Sequence, residues 1–479
     1  MTRKKATTKK VTKKKAKKEV KSESLSKTTA SNVKKSTKKR VVKKATEDQL
    51  VLQTVRGMKD LLPGDQAYWE QIRKVLEKRS IEYGFSRIDT PLVEFENIFT
   101  KPIGAGTDIV DKEMYSFRTK GGDKVALRPE MTASVCRAYI QHGMTILPKP
   151  IKLFSIGPVY RYDRPQEGRY REFYQAEFDI FGEEDPILDA QIMQIAHRTL
   201  ASLGIKNIQF SVNSIGTKES RKEYLKLLKA YFRSKKSKLP SRYRDMIDSN
   251  PLRIFDAKDD KCMQVCAGAP QAIDHLDKES RDHFKNLLEY LDELDLPYTI
   301  DPQLVRGLDY YTRTVFEIYT NDETGKKHAL GGGGRFDDLI EIFGGEPTPA
   351  IGFAFGIDRL IMEMKRVKAK KYKPAQPRVF LAQLGNLAKK KSLQLFADIE
   401  KSGILVAESF GRGSLSAQLR HANKLGVEIT IIIGQQEALD ETVILKNMVT
   451  GTQETVAREK AVAFVKKGLK QSAKLVKTK

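Results

Sequence analysis

The sequence predicts a multidomain protein of mixed α/β and α+β class. Its parts are an antiparallel β-sheet core flanked by helices, a helical insertion, and a small C-terminal α/β domain. Three observations predict this. Strand-like runs fill Phe85–Val93, Val125–Arg128, Ile151–Tyr162 and 169–181, and return at 304–319. Helical periodicity rich in Lys and Glu occupies roughly 217–300, inside that β-rich series. Beyond Pro377, strand-like and helix-like runs alternate, the pattern of a small α/β unit. A chain of 479 residues has room for two to four such domains.

Residues 1–49 hold 19 Lys and Arg against 4 Asp and Glu, a net +15 of the chain's +26. With almost no large apolar residues this segment cannot offset its ordering entropy, and it is expected to be disordered. Three roles stay open: a solvated charge run, salt-sensitive attraction to RNA phosphates, and organelle targeting, against which the dominance of Lys over Arg argues. A charge this large points to a polyanionic partner, nucleic acid or anionic membrane.

From Gln66 to Tyr83, Ile72, Val75, Leu76 and Arg79 recur at helical spacing, and Gly84 stands where the helix would end. Gly157–Gly182 reads GPVYRYDRPQEGRYREFYQAEFDIFG. Pro165 and Gly168 mark a loop between two antiparallel strands. Arg161, Arg164, Arg169 and Arg171 are grouped there, and guanidiniums grip phosphates bidentately. In the second strand Gln175, Glu177 and Asp179 alternate with Tyr174, Ala176, Phe178 and Ile180, so one face is polar and the other apolar. Acids beside an arginine loop suit an amine held next to phosphates. Read alone, the segment also fits a surface hairpin with compensating charges, the lesser of the two readings.

Gly331–Gly334 open another core element that ends in a helix around Ile357–Lys368. Without side chains these glycines let a ligand approach the backbone, or form a flexible turn. Residues 371–376 are expected to be a linker, 377–465 the last domain, and 466–479 a basic tail.

Several chemistries are disfavoured. There is no G-x-x-x-x-G-K-[ST] loop, no G-x-G-x-x-G after a strand, and no H-E-x-x-H among the six histidines. Cys136, Cys262 and Cys266 form no disulfide framework, and Cys262 and Cys266 lack a second ligand pair for zinc. No segment has the length and apolarity of a membrane span, and the N-terminus lacks the apolar stretch of a secretory signal, so a cytoplasmic setting is expected.

The Gly157–Gly182 segment resembles motif 2 of class II aminoacyl-tRNA synthetases, in the form found in histidyl-tRNA synthetases. Other segments resemble that family in order: Pro91 the motif 1 proline, Leu127–Thr132 the amino-acid-binding stretch, Asn250–Lys258 (NPLRIFDAK) part of the insertion, Leu304–Thr314 (LVRGLDYYTRT) and Gly331–Asp337 (GGGGRFD) the two histidine signatures, and Ala350–Leu360 motif 3. The likeness spans about residues 51–460. The class I signatures H-I-G-H and K-M-S-K-S are absent.

The resemblance implies a class II catalytic core at 50–370 with its insertion at 217–300, and an anticodon-binding domain at 377–465. It implies ligation of L-histidine to tRNA(His) through a histidyl-adenylate, with ATP and Mg²⁺ as substrates, no permanent cofactor, no protein metal site, and a homodimer paired through the motif 1 region. Arg161 and Arg306 match arginines on the α-phosphate, and Arg169 and Arg359 match further arginines of the ATP site, Arg359 near the γ-phosphate. Glu130, Thr132 and Gln175 match acceptors for the histidine ammonium, with Met131 in the same stretch. Asp179 and Tyr311 match the pair that reads the imidazole, with Tyr310 beside them. Arg412, Arg420 and Lys424 would be basic contacts in the anticodon domain, and each is equally a solvated charge. Phe336 stands where the family usually has Tyr.

Two points stay open. Arg306 and Tyr311 differ by five positions and would face opposite sides of a regular strand, unless Gly307 marks a bulge or Arg306 precedes the strand. No side chain stands out as base for the transfer step, and the resemblance suggests a substrate phosphate oxygen. Two rival readings are a non-catalytic regulatory subunit on the same fold, and a structural or DNA-binding protein driven by the tail. The first would lack the anticodon domain and lose arginines, and the second would lack an ATP site.

Overall fold

The computed structural model describes residues 52–104, 107–257, 259–411 and 413–477. The Lys-rich tail at 1–49, Lys258 and Arg412 lie outside the described residues.

A long helix, Pro63–Glu82, opens the described chain and buries Trp69, Ile72 and Leu76. Proline at its start costs no intrahelical hydrogen bond, and Gly84, at φ +73°, turns the chain out of its end. The strand expected at 85–93 is only a short β1 (Ser86–Arg87) and the start of β2 (Val93–Phe95). Strand β2 joins β3 (Tyr115–Arg118) and β4 (Lys124–Leu127) in a three-stranded sheet, order β2-β4-β3.

The main sheet adds β5 (Ile151–Tyr160), β6 (Glu172–Phe181), β7 (Ile208–Ser214), β8 (Tyr298–Ile300), β9 (Thr312–Asn321), β10 (Lys327–Arg335) and β11 (Ala350–Gly356). Its order is β1-β5-β6-β11-β10-β9-β7-β8. The five central pairings, from β5–β6 to β9–β7, are antiparallel, and the edge strands β1 and β8 pair parallel. One face packs under the Pro63–Glu82, Ile187–Ser202 and Ile357–Arg366 helices through Phe178, Phe316, Phe353, Ile192 and Leu360.

Helices Lys218–Ser234, Asp260–Cys266 and Lys278–Glu293 lie between β7 and β8. This block has its own core, in which Cys262 and Cys266 are buried beside Tyr224 and Phe232. Aliphatic and aromatic neighbours account for both thiols as packing residues.

The predicted strand at 304–319 is a correction. Regular pairing begins only at Thr312, and 304–311 is an irregular loop. Its Tyr and Val content favours a strand, but side chains from elsewhere satisfy its carbonyls. The predicted strand at 169–181 likewise begins later, at Glu172. Gln166 and Arg169 bridge across the intervening turn, with Gly168 at φ +74°.

Residues 371–376 carry no regular structure, though the Tyr372 amide donates to the Ala67 carbonyl (3.1 Å) and its ring takes the Lys74 ammonium at 3.7 Å. The C-terminal sheet runs β13 (Val406–Glu408), β12 (Val379–Gln383), β14 (Ile429–Ile433), β15 (Thr442–Asn447) and β16 (Gln453–Ala457). The helices Asn386–Lys401 and Leu415–Leu425 make the crossovers between its parallel strands. The helix Ala461–Lys477 runs straight through the boundary expected at 465, because Val465 and Leu469 are buried in the core of this domain.

Candidate active site

The ends of β5, β6, β9, β10 and β11 and the loops beside them enclose a cavity of about 390 Å³. Arg161, Arg169, Arg306 and Arg359 all line it, brought together from three separated stretches of chain. Their anchors leave guanidinium nitrogens free. Arg161 Nε donates to the Pro129 carbonyl (2.8 Å), and its guanidinium stands over the Phe173 ring at 5.4 Å. Arg359 donates to the Gly168 and Ala329 carbonyls at 3.4 and 3.2 Å. Arg169 pairs with Asp163 at 3.2 Å and is exposed. Burial and the positive charges of Arg169, Arg161 and Arg306 all depress the proton affinity of Arg359, while Glu317 opposes them. Four cations that repel one another around a cavity make a receptor for a polyanion.

The other two arginines of the hairpin do not line the cavity, which corrects the grouping of four. Arg171 stacks on the Tyr162 ring at 3.6 Å and donates to the Asp163 carbonyl (3.2 Å), while Arg164 is exposed.

The same cavity has buried acids, and Arg161 stands near one of them, Glu130. Glu130, Glu177 and Asp179 are each 2% exposed. Burial pushes all three carboxyls up, and their repulsion adds to it, Asp179 and Glu130 acting on Glu177 and Glu130 acting on Asp179. Glu130 accepts from the Ala133 amide (2.9 Å) at the start of the Thr132–Gln141 helix, and Tyr310 OH stands 3.4 Å from its other oxygen. Glu177 lies 3.4 Å from both the Met131 amide and Thr132 Oγ1. Gln175 Oε1, Asp179 Oδ2 and Arg306 Nε are buried with no hydrogen-bond partner among the described residues. Buried polar atoms are rarely left so, and two such acceptors call for a ligand that donates.

Glu130, Thr132, Gln175, Tyr310 and Tyr311 line the cavity as well, but Met131 and Asp179 do not. Asp179 sits one pleat deeper than Glu177 on the same face of β6. It pairs across the ladder with Gly352, and a Cβ at Gly352 would come within 2.1 Å of Asp179 Oδ1. Met131 contributes its backbone amide and a buried side chain.

The open question about Arg306 and Tyr311 is answered by the loop. Arg306 precedes the strand, so no alternation governs the pair, and its guanidinium lies 6.0 Å from the Tyr311 ring. The glycine run serves these two side chains as much as any ligand. A Cβ at Gly332 would meet Arg306 Nη1 at 2.8 Å, and one at Gly334 would meet Tyr311 Cδ1 at 2.9 Å. Phe336 lines the cavity, 1% exposed, with the Tyr310 and Phe181 rings each 6.0 Å away.

Sequence reasoning passed over Glu113 and Glu317, which line the cavity, and the buried Arg335. Glu317 lines the cavity on β9, 3.8 Å from Arg306 Nη1, and the period of two along that strand was its only signal. Arg335 is wholly buried, pairs with Asp189 (2.8 Å) and Asp337 (3.3 Å), and locks the end of β10 against the start of the Ile187–Ser202 helix. Asp337 extends that lock by accepting from Thr312 Oγ1 at 3.1 Å.

The family profile described as histidyl-tRNA synthetase matches residues 57–360. The histidine–tRNA ligase of Dehalococcoides mccartyi is 44% identical over 415 residues, covering 87% of this chain and 99% of that protein. The chain belongs to the histidyl-tRNA synthetase family. A second profile, anticodon binding domain, matches residues 378–468 of this synthetase. On its Leu415–Leu425 helix Arg420 and Lys424 are exposed one turn apart. The apo histidyl-tRNA synthetase of S. aureus superposes with a TM-score of 0.72 at 32% identity, over 86% of this chain and 99% of that one. A Bacillus halodurans structure titled as an ATP phosphoribosyltransferase regulatory subunit/histidyl-tRNA synthetase shares the fold at 19% identity and a TM-score of 0.57, over 81% of this chain and 99% of that one. The aminoacyl-tRNA synthetase keeps both its anticodon-binding region and its cavity arginines, which separates it from the regulatory reading weighed above.

Proposed function

We propose that this cavity activates L-histidine with ATP and hands it to tRNA(His). The observation that carries the reading is one cavity that brings Arg161, Arg169, Arg306 and Arg359 together with buried acids and two phenols. The chain charges tRNA(His) with histidine. In the first step the histidine carboxylate attacks the α-phosphorus of ATP, forming histidyl-adenylate and expelling pyrophosphate. Arg161 and Arg306 hold the α-phosphoryl oxygens as charge grows on them, and Arg169 and Arg359 hold the departing phosphates. Glu130, Thr132 and Gln175 receive the ammonium. Tyr311 receives one imidazole nitrogen at the cavity wall, and the unpartnered Asp179 Oδ2, one pleat below, receives the other where the ring reaches the base of the cavity; a side chain without ring N–H leaves them unpaired and is rejected. In the second step the terminal ribose hydroxyl of the tRNA attacks the acyl carbon, AMP leaves, and a phosphate oxygen of the adenylate takes the proton.

Mg²⁺ arrives with ATP. Glu317, partly exposed among the arginines and only loosely paired, is the carboxylate that fits it. The ion supplies charge neutralisation on the leaving pyrophosphate.

The domain reading follows the same lines: a catalytic core at 50–370, its helical insertion, and an anticodon-binding domain at the C-terminus. A homodimer is supported by the exposed apolar side chains of Leu92, Val93, Phe95 and Phe117 next to Pro91. A cytoplasmic setting suits three thiols that are all free and buried. The test is ATP–pyrophosphate exchange with each amino acid in turn. Histidine alone should support it, and absence of exchange with histidine overturns the reading.

A further inference from the structure

The loop 304–311 carries Arg306 and Tyr311 into the cavity, yet it has no strand pairing of its own. Its shape is imposed from outside, largely by the inserted helical block. Arg221, in the first turn of the Lys218–Ser234 helix, donates to the Tyr311 carbonyl and, at 3.3 Å, to the Asp309 carbonyl. Asn250 Nδ2 lies 3.3 Å from both carboxylate oxygens of Asp309. The Asp309 amide donates to the Ile103 carbonyl at 3.3 Å, and Asp309 packs on Gly104 so closely that a Cβ there would lie 2.8 Å from Oδ2.

The base from which Arg221 reaches is itself fixed. Thr217 caps its helix and donates to Asp277 Oδ2 (3.1 Å), and Asp277 also caps the Lys278–Glu293 helix through the Ser280 amide (2.7 Å). Backbone bonds Ile215 N to Arg313 O and Arg313 N to Gly216 O, both 2.8 Å, tie the same turn to the start of β9. Arg313 sits there at φ +45°, a conformation costly for a residue with a side chain. Two carbonyls held by one planar fork define the loop more tightly than two independent donors would.

We propose that Arg221 is a positioning residue for histidine activation: from the inserted block it fixes the loop that presents Arg306 to the α-phosphate. The inference rests on the function proposed above. It makes the insertion part of the activation machinery. Arg221 touches no substrate and acts on the phosphoryl step through Arg306, so its effect on kcat must vanish once Arg306 is gone, while any displacement of Tyr311 is read in the histidine KM.

The experiment is a double-mutant cycle on the rate of histidyl-adenylate formation, using the full chain. Arg221→Gln alone should lower kcat for exchange roughly 10- to 100-fold, the cost of a misplaced catalytic group. Arg221→Lys, which can reach one carbonyl, should fall between. In an Arg306→Ala background, Arg221→Gln should change the rate less than about twofold. An equal loss in both backgrounds marks a merely structural role and overturns the proposal, as does an unchanged rate in the single variant. Should Arg221→Gln fail to fold by circular dichroism, Asn250→Ala takes its place in the same cycle and decides by the same criterion. Wild-type exchange is measured alongside. Its absence with histidine sinks the proposed function, whereas its presence with an additive cycle sinks only the role of Arg221.

Discussion

The Arg306 guanidinium lies across Gly332, so close that a single methyl there would stand 2.8 Å from Nη1 and 3.0 Å from Cζ. Strand β10 can pass beneath this arginine only because it is bare at that point. The Gly332→Ala variant should therefore lose activity out of proportion to stability. It also meets the Phe316 carbonyl at 2.7 Å, so some stability is lost, about 1–3 kcal/mol as for other overpacked sites. Adenylate formation should fall roughly 100-fold. Single-turnover kinetics beside a melting curve would check this, and a rate within twofold of wild type would show that Arg306 moves aside freely.

The buried acids make a prediction about protons. Burial first, then Asp179 and Glu130, raise the Glu177 carboxyl well above its ordinary 4.5. The folded, unliganded protein therefore binds a proton that the unfolded chain has released. Its stabilising contribution is complete below pH 4.5 and is lost as pH rises through the raised value. Glu177→Gln should remove that loss, so the unliganded variant should melt higher than wild type at pH 8. The same change should weaken histidine about tenfold, since the carboxylate charge beside the ammonium acceptors, 3.4 Å from Thr132 Oγ1, is gone. Because a bound ammonium favours the ionised acids, histidine should release protons on binding. Calorimetry in buffers of different ionisation enthalpy reads that release, and proton uptake at pH 7.5 would contradict the account.

Arg335 has no access to solvent and holds Asp189, whose carboxyl burial pushes up to about 6 even with the guanidinium beside it. Removing one partner of such a pair strands the other. Arg335→Met should cost about 3–5 kcal/mol, and adding Asp189→Leu should restore much of it. Chemical denaturation of the two variants would measure this. A single variant within about 1 kcal/mol of wild type would mean that water enters and solvates Asp189.

Much of this was legible in the chain. Strands β5 and β6 announce themselves because each has one face on the Phe178 core, which imposes alternation. Arg161 and Arg169 adjoin these strands, whereas Arg359 came only from the resemblance to motif 3, and all three line the cavity. The loop 304–311 could not be placed, because its partners, Arg221 and Asn250, are distant in sequence and no local pattern encodes them. For the same reason the glycine run was read toward a ligand, when Arg306 and Tyr311 press on it from the loop before the neighbouring strand. Asp179 was expected on the cavity wall. It lies one pleat below, because the polar face of β6 continues past the cavity under Gly352.

The most direct test removes Arg306 and measures histidine affinity and adenylate formation separately. Stabilisation of charge that exists only in the transition state predicts that Arg306→Ala slows adenylate formation by about 100-fold or more, while the histidine Kd stays within about threefold. A Kd that weakens as much as the rate falls, or a rate left intact, would contradict the claim that this arginine acts on the phosphoryl group.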